Sequence, residues 1–309
     1  MGKCVPIYYK KEMGKKFCKG DFFKYVERTF VKAIKKYKMI QRGERVAVAV
    51  SGGKDSMTLL YLMDKIERRG FEVDLVIVHL DEGIKGYSDK ALELVKKTAK
   101  IFGIELYNAS YKELFNYTID KIANIPKNIR RYEPCTFCGV WRRWGLNYLA
   151  FKANVDKLAT AHTMDDEAQT VILNVLRDGL ENLLRIDIYP EKREGFIPRI
   201  KPLRLLLERE TSLYAILKNI PYVDTTCPYA HLGMRWDIRF WLYEQEDKYP
   251  GTLRHIVSFG EKLAILGREV RVREGLGKCK ICGFPASRDL CRAHELQKFI
   301  ERGNREASD

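Results

Sequence analysis

Ala47-Val48-Ala49-Val50-Ser51-Gly52-Gly53-Lys54-Asp55-Ser56 is an apolar, partly β-branched run that ends on two glycines and then turns polar. A short apolar run bounded by glycine reads as a buried strand, Arg45 to Val50, and the helical spacing of Met57 to Arg68 follows it directly. Glycines at such a strand-to-helix turn let the backbone approach an oxyanion closely. The free amides of the helix start, the two serine hydroxyls and the Lys54 ammonium add donors. The G-x-x-x-x-G-K-[ST] spacing of a Walker A loop is absent. Outward from this turn, apolar strands are expected at Val73–Leu80, Glu105–Asn108 and Lys157–Thr160. Helices are expected at Tyr25–Tyr37, Asp89–Phe102, Trp141–Ala153, Asp165–Leu176 and Thr211–Asn219, and Met234–Leu266 reads as mainly helical with a break at Pro250-Gly251. Strands alternating with helices predict an α/β fold with a Rossmann-like parallel sheet.

The chain has 309 residues, 46% hydrophobic and 11% aromatic, enough for a sizeable core and about two domains with appendages. Its longest apolar stretches fall far below the roughly 18 residues that span a bilayer, and the basic N-terminus lacks a signal-peptide core. A soluble, cytoplasmic protein with no membrane partner is the expectation. The net charge of +15 is unevenly placed: residues 1–45 carry 14 basic and 4 acidic side chains, 46–250 carry 30 and 29, and 251–309 carry 12 and 8. Basic arms around a neutral centre point to nucleic acid, because clustered Lys and Arg release counterions from phosphates. The division that follows is a basic N-terminal module with its helix at 1–45, a catalytic domain with a helical C-terminal part at 46–274, and a small Cys-rich module at 275–309.

The eight cysteines fall in groups. Cys135 and Cys138 form a C-x-x-C pair after Pro134, and Cys227 stands far downstream in a turn-rich stretch, so three soft ligands in two loops are expected. By themselves they are open to several readings: a three-thiolate iron-sulfur cluster with one free iron, a redox pair beside an unrelated thiol, an incomplete zinc site, or a persulfide carrier. Cys279-x2-Cys282-x8-Cys291-x2-His294 is a compact set of four that suits tetrahedral Zn2+. Two histidines, in His79-Leu80-Asp81 and Ala161-His162, fall at strand ends, where ligands lie in such folds. His79, Asp81, Ala161 and His162 are therefore candidates for a nucleotide wall, and a packed, structural histidine is the competing reading.

Ser-Gly-Gly-x-Asp-Ser resembles the pyrophosphatase loop of enzymes that split ATP between its α and β phosphates to adenylate a substrate. With Cys135-x-x-Cys138-Gly-Val-x-Arg142-Arg143, Ala161-His162-Thr-Met-Asp165-Asp166-Glu167-Ala168-Gln169-Thr170, Arg199-Ile-Lys201-Pro202-Leu203 and Cys227-Pro228-Tyr229 in the same order, the whole chain resembles the tRNA 2-thiouridine synthetase family. That resemblance implies an adenine nucleotide α-hydrolase-like fold and ATP-dependent tRNA sulfurtransferase activity, which adenylates a uridine C2 oxygen at position 34 or 54 and replaces it with sulfur. It implies that Ser51, Gly52, Gly53, Asp55 and Ser56 hold the pyrophosphate, with Lys54 nearby and Mg2+ beside Asp55. It further implies that Cys135, Cys138 and Cys227 carry a [4Fe-4S] cluster, that Arg142 faces ATP, and that Asp166 is the catalytic acid. Helix capping is the alternative use of Asp165, Asp166 and Glu167, with Asp165 expected nearer the cap. Implied partners are tRNA, a ubiquitin-like sulfur carrier or free sulfide, and a second copy of the chain.

The N-terminal module departs from the family pattern. Ile7 stands where a cysteine belongs after Cys4, and Asp21 where a histidine belongs after Cys18, so Cys4 and Cys18 are an incomplete zinc set. Tyr8, Tyr9, Phe17, Phe22 and Phe23 lie among its lysines, an arrangement that suits stacking on unpaired bases. Two other functions compete: a non-catalytic zinc-containing RNA-binding protein, and another adenylating ligase of the loop superfamily. The intact loop with Asp55 and the complete cysteine triad argue against the first, and the second, an amidotransferase-type ligase or a lysidine-forming tRNA enzyme, needs no three cysteines around its active site.

Overall fold

The computed structural model describes residues 5–186, 188–270 and 276–306. An antiparallel hairpin, β1 (Tyr8–Lys10) and β2 (Lys15–Phe17), leads into α1 (Lys19–Lys36). The central part then runs β3 (Glu44–Ala49), α2 (Lys54–Glu67), β4 (Val73–Asp81), α3 (Ser88–Phe102), β5 (Glu105–Ser110), three short helices α4 (Tyr111–Phe115), α5 (Ile119–Asn124) and α6 (Lys127–Arg130), and α7 (Pro134–Lys152). It continues through β6 (Lys157–Ala159), α8 (Met164–Leu176), α9 (Leu180–Leu184), β7 (Arg199–Ile200), α10 (Glu208–Leu217), α11 (Met234–Lys248) and α12 (Thr252–Val270). A second small hairpin, β8 (Gly277–Lys278) and β9 (Pro285–Ala286), precedes α13 (Arg292–Glu306).

The main sheet has the order β5-β4-β3-β6-β7, and every pair is parallel. The predicted parallel α/β fold is therefore present. Both faces are covered, which is why β3 and β4 read as continuous apolar runs. Val46, Val48, Leu75 and Ile77 face one cluster with α1, α2, α3 and α10. Ala47, Val76, Val78 and Leu80 face the other, with α4, α5 and α7. From β3 the chain winds one way to β4 and β5, and the other half adds β6 and β7 on the opposite side. The crevice at that reversal opens beyond the carboxyl ends of β3 and β6.

The end modules pack into these same clusters. Phe17, Phe22, Val26 and Phe30 join the first; Cys279, Cys291, Leu296 and Ile300 join the second, and Trp141 Nε1 donates to the Ala293 carbonyl at 3.2 Å. The expected stacking role for the N-terminal aromatics is thereby corrected for two of them. Phe17 is 3% exposed and Phe22 fully buried, because the end of β2 and the apolar stripe of α1 turn them into the first cluster. Tyr8 is hydrogen-bonded inward, and Phe23 packs edge-on against Tyr214.

Candidate functional site

The loop after β3 is held by its own side chains. The Ser51 amide donates to Ser56 Oγ at 3.1 Å, and Ser56 Oγ donates to the Gly53 carbonyl at 2.9 Å. Gly53 is the N-cap of α2, so the helix's free amides and positive dipole end lie at this turn. Gly52 has φ +83°, and a Cβ built there would stand 2.9 Å from Ala91 Cβ on α3. Only glycine fits the position, by conformation and by space.

Lys54 and Asp55 face a group that local sequence reading missed. Lys54 Nζ lies 2.8 Å from Asp55 and 2.5 Å from Glu208, the first residue of α10. Glu208 also takes Arg239 at 2.5 Å and the Tyr243 hydroxyl, both from α11. Thr211 donates to Asp55 Oδ1 at 2.5 Å. Burial works against the Lys54 charge, yet the two facing carboxylates hold its pKa above the ordinary lysine value. Burial raises Asp55 above the usual carboxylate range despite Lys54. An electropositive ligand beside Asp55 would reverse that penalty.

At the second strand end, the first turn of α8 carries Asp165 and Asp166, and the structure exchanges their expected placement. Asp166 is the capping residue: its Oδ2 accepts from the Thr163 amide at 3.0 Å. It sits third in the helix, where a short acidic side chain reaches back to the N-cap amide. Asp165, one position earlier, turns inward and accepts from the Glu208 amide at 2.7 Å. Burial, with Glu208 and Asp166 nearby, pushes its pKa up to about 7. Glu167 pairs with Lys201 at 2.6 Å and with Arg204 at 3.3 Å. His162 remains exposed and accepts or donates at Thr160 Oγ1, 2.9 Å away, and Ala161 is half-buried. His79 is 1% exposed, and its Nδ1 meets the Val50 carbonyl at 2.7 Å. It supports the strand that delivers the loop, and its Nε2 has no hydrogen-bond partner among the described residues. Asp81 closes the turn after β4 by accepting from the Gly83 amide at 2.7 Å.

The cysteine pair is helical, contrary to the loop expectation. Pro134 occupies the first position of α7, where its missing N–H costs nothing, so Cys135 and Cys138 share one face of the opening turn. Cys227 comes from the segment after α10. Cys135 Sγ donates to the Tyr229 carbonyl at 3.2 Å, and the Cys227 carbonyl accepts from the Ala230 amide at 3.0 Å. All three are free thiols. Burial raises each of their pKa values, Cys138 to about 11, and the Arg142 guanidinium opposes that rise at all three. Arg142 donates to Cys138 Sγ at 3.2 Å and to Glu82 at 3.0 Å, and Glu82 is buried. Cys227 acts electrostatically on both Cys135 and Cys138, and three neighbouring thiols with a cation beside them form a donor set that fits iron-sulfur chemistry.

Loop and triad are neighbours. The Gly52 carbonyl accepts from the Val223 amide at 2.9 Å, and Cys227 follows four residues later, within about 14 Å along an extended chain. Tyr87, at the start of the helix that packs on Gly52, lies in the field of Glu82, Arg142, Cys227 and Cys138.

In the C-terminal module, the ligand atoms of Cys279, Cys282, Cys291 and His294 all lie within 4.8 Å of one another. Cys279 Sγ is 3.7 Å and Cys291 Sγ 3.2 Å from His294 Nδ1, and Cys282 Sγ is 3.9 Å from Cys291 Sγ. A tetrahedron on metal-sulfur bonds of about 2.3 Å has an edge of about 3.8 Å, so the set fits a closed zinc site. Gly283 follows the second ligand at φ +72°, as a knuckle turn requires. Burial opposes it, but amides of Cys291, Cys282 and Ile281 hold the Cys279 thiol below its ordinary pKa. Cys4 lies outside the described residues. Cys18 is the N-cap of α1 and is not among the free thiols.

The family model described as a PP-loop domain matches residues 24–239. The chain is 38% identical over 292 residues to the cytoplasmic tRNA 2-thiolation protein 1 of Drosophila mojavensis, covering 94% of this chain and 84% of that one. It is 36% identical to the protein of the same name from Xenopus laevis, covering 96% and 86%. Among solved structures, the U34-tRNA thiolase NcsA of Methanococcus maripaludis with its [4Fe-4S] cluster superposes with a TM-score of 0.80 at 29% identity, over 96% of this chain and 95% of that one.

Proposed function

We propose, from the premise that this chain belongs to the PP-loop domain family and within it to the tRNA 2-thiolation proteins, that it activates a tRNA uridine with ATP and exchanges its C2 oxygen for sulfur. The uridine O2 attacks the α phosphorus and pyrophosphate leaves; sulfide-level sulfur, as HS−, then adds at C2, and AMP departs with the oxygen as the sulfur's proton is lost. A carbonyl oxygen is a poor leaving group until it is a phosphate ester, which is why an ATP loop and a sulfur site belong side by side.

Ser51, Gly52, Gly53 and Ser56 would hold the departing pyrophosphate on the amides of the α2 start, with Lys54 as charge partner. Asp55 would take Mg2+. Asp166, at the mouth of α8, is placed to accept a proton only by releasing part of its cap. Cys135, Cys138 and Cys227 would hold a [4Fe-4S] cluster, which when bound leaves one iron open to carry the incoming sulfur. Arg142, held by Glu82, orients and neutralises this centre. Cys279, Cys282, Cys291 and His294 would hold a structural Zn2+. Position 34 is the favoured target, on the likeness to the U34 thiolase. A cytoplasmic location follows the relatives' name, and no helix among the described residues is long and apolar enough to cross a membrane.

The observation that carries this reading is the gathering of three free thiols and Arg142 beside a glycine loop built for pyrophosphate. The test is anaerobic purification, iron and sulfide quantification, and mass spectrometry of tRNA thionucleosides. Wild type should be brown and form 2-thiouridine, and Cys227→Ala should lose both while still binding tRNA. A colourless wild type with intact thiols, or full activity in Cys227→Ala, would sink the cluster assignment.

A further inference from the structure

A groove of about 550 Å³ lies between α1 and α12, away from the glycine loop. Its walls are two facing helical stripes. Tyr25, Thr29, Lys32 and Lys36 recur at helical spacing on α1; Arg254, Val257, Ser258 and Glu261 do so on α12, with His255 beside them. Its floor carries Tyr37, Met164, Leu205 and Arg204; Tyr37 and Met164 are buried, with Arg204 and Lys36 over the Tyr37 ring, while Leu205 and the wall residue Tyr25 are half-buried. Arg204 is 2% exposed, and its Nε has no hydrogen-bond partner among the described residues.

The charges divide into two groups. Deep in the groove Lys10 is paired with Glu210 and Arg204 with Glu261, while Arg254 pairs with Glu12 at the rim. Lys36 lies 4.0 Å from Glu261. Lys32 and His255, both exposed and on opposite walls, make no side-chain hydrogen bond or ion pair among the described residues. Rim cations over the half-buried Tyr25 and Leu205 match a nucleotide: phosphates outside, base inside. The groove is also continuous with the most basic part of the chain, residues 1–45, whose Phe17 and Phe22 the fold has taken for its core.

We propose that the groove between α1 and α12 binds an unpaired nucleotide of the substrate RNA strand, its phosphates between the Lys32 and His255 walls and its base against the half-buried Tyr25 and Leu205. The inference rests on tRNA being the substrate, and it places a second anchoring point for that RNA on the module that lacks a complete zinc set.

The experiment measures tRNA binding over a salt series for wild type, for Lys32→Glu/His255→Glu, and for Lys97→Glu, an exposed residue of α3 that does not line the groove. The double variant should bind tRNA at least tenfold more weakly, with a salt slope shallower by about one, while keeping its melting temperature and ATP affinity. A short single-stranded RNA should compete with tRNA on wild type and lose that ability on the double variant. The groove assignment is overturned if the double variant weakens tRNA no more than Lys97→Glu does. It is equally overturned if adenosine monophosphate competes as well as the short RNA, which would mark a site for free nucleotides. If wild type binds no tRNA at all, the thiolase reading fails first and the groove falls with it.

Discussion

Glu210 is fully buried, and its Oε1 accepts from Lys10 Nζ at 2.7 Å, the Tyr8 hydroxyl at 2.8 Å and the Tyr25 hydroxyl at 3.0 Å, while its Oε2 accepts from the Leu207 amide at 3.0 Å. One carboxylate of α10 therefore fastens β1 and α1 to the catalytic domain, in a module whose zinc ligands are incomplete. Glu210→Ala strands the Lys10 ammonium, which is 3% exposed. Removing one partner of a buried pair costs about 3–5 kcal/mol, because the survivor keeps its desolvation penalty. The phenols that lose an acceptor push the total toward the upper end of that range. Urea unfolding should show a loss of about 4 kcal/mol, and amide exchange should rise first in residues 8–25. Lys10→Met in the same background should recover much of the loss, since it removes the stranded charge. A loss below about 1 kcal/mol, or no recovery in the double variant, would refute the claim that this pair holds the module. The surrounding phenols add a pH signature. Burial, then Glu210, raises the Tyr8 and Tyr25 pKa values above the ordinary 10, so their contribution is complete below pH 10 and is lost as pH rises beyond it.

Gly52→Ala combines left-handed strain of about 1–2 kcal/mol with overlap on Ala91 of about 1–3 kcal/mol; a denaturation midpoint unchanged from wild type would remove the close-packing argument. Asp165 carries a pKa of about 7 in the fold against an ordinary value near 3.9, so its contribution is full below about pH 4 and fades as pH rises through 7. Asp165→Asn should gain stability at pH 8, by at most about 4 kcal/mol, and little at pH 4, and equal urea midpoints at both pH values would argue against it. Chelation or Cys279→Ser should release one zinc per chain by metal analysis. Tryptophan fluorescence should shift with it, since His294 lies edge-on to Trp144 at 5.5 Å; a zinc-free, spectrally unchanged wild type would contradict the site. Asp55→Ala should abolish ATP-dependent pyrophosphate release, and unchanged turnover would refute the loop assignment.

Where sequence reading succeeded, the signal was local. The β3 run, its glycines and the α2 start are contiguous, so periodicity and turn chemistry were enough, and the four-ligand set at Cys279–His294 is nearly so. Reading failed where one local signal supported two outcomes. A C-x-x-C pair directly after Pro134 suits a loop, but proline is equally at ease in a helix's first position. Aspartates at a helix start either cap or turn inward, and the exchange between Asp165 and Asp166 was decided by the Glu208 amide. Aromatics among lysines suit RNA or a core equally well, and the α1 stripe buried Phe22.

The sequence alone determined the strand-loop-helix, the parallel sheet and the grouping of Cys279, Cys282, Cys291 and His294 into one compact set, because each follows from neighbours a short way apart in the chain. Only the tertiary structure decided that Lys54 meets Glu208 across 154 positions, that Glu82 holds Arg142 against Cys138 across 60, and that Val223 ties the sulfur-side segment to Gly52. Such pairings arise from packing helices over both faces of one sheet. No local pattern encodes which distant side chains that packing brings together at the sheet's carboxyl edge.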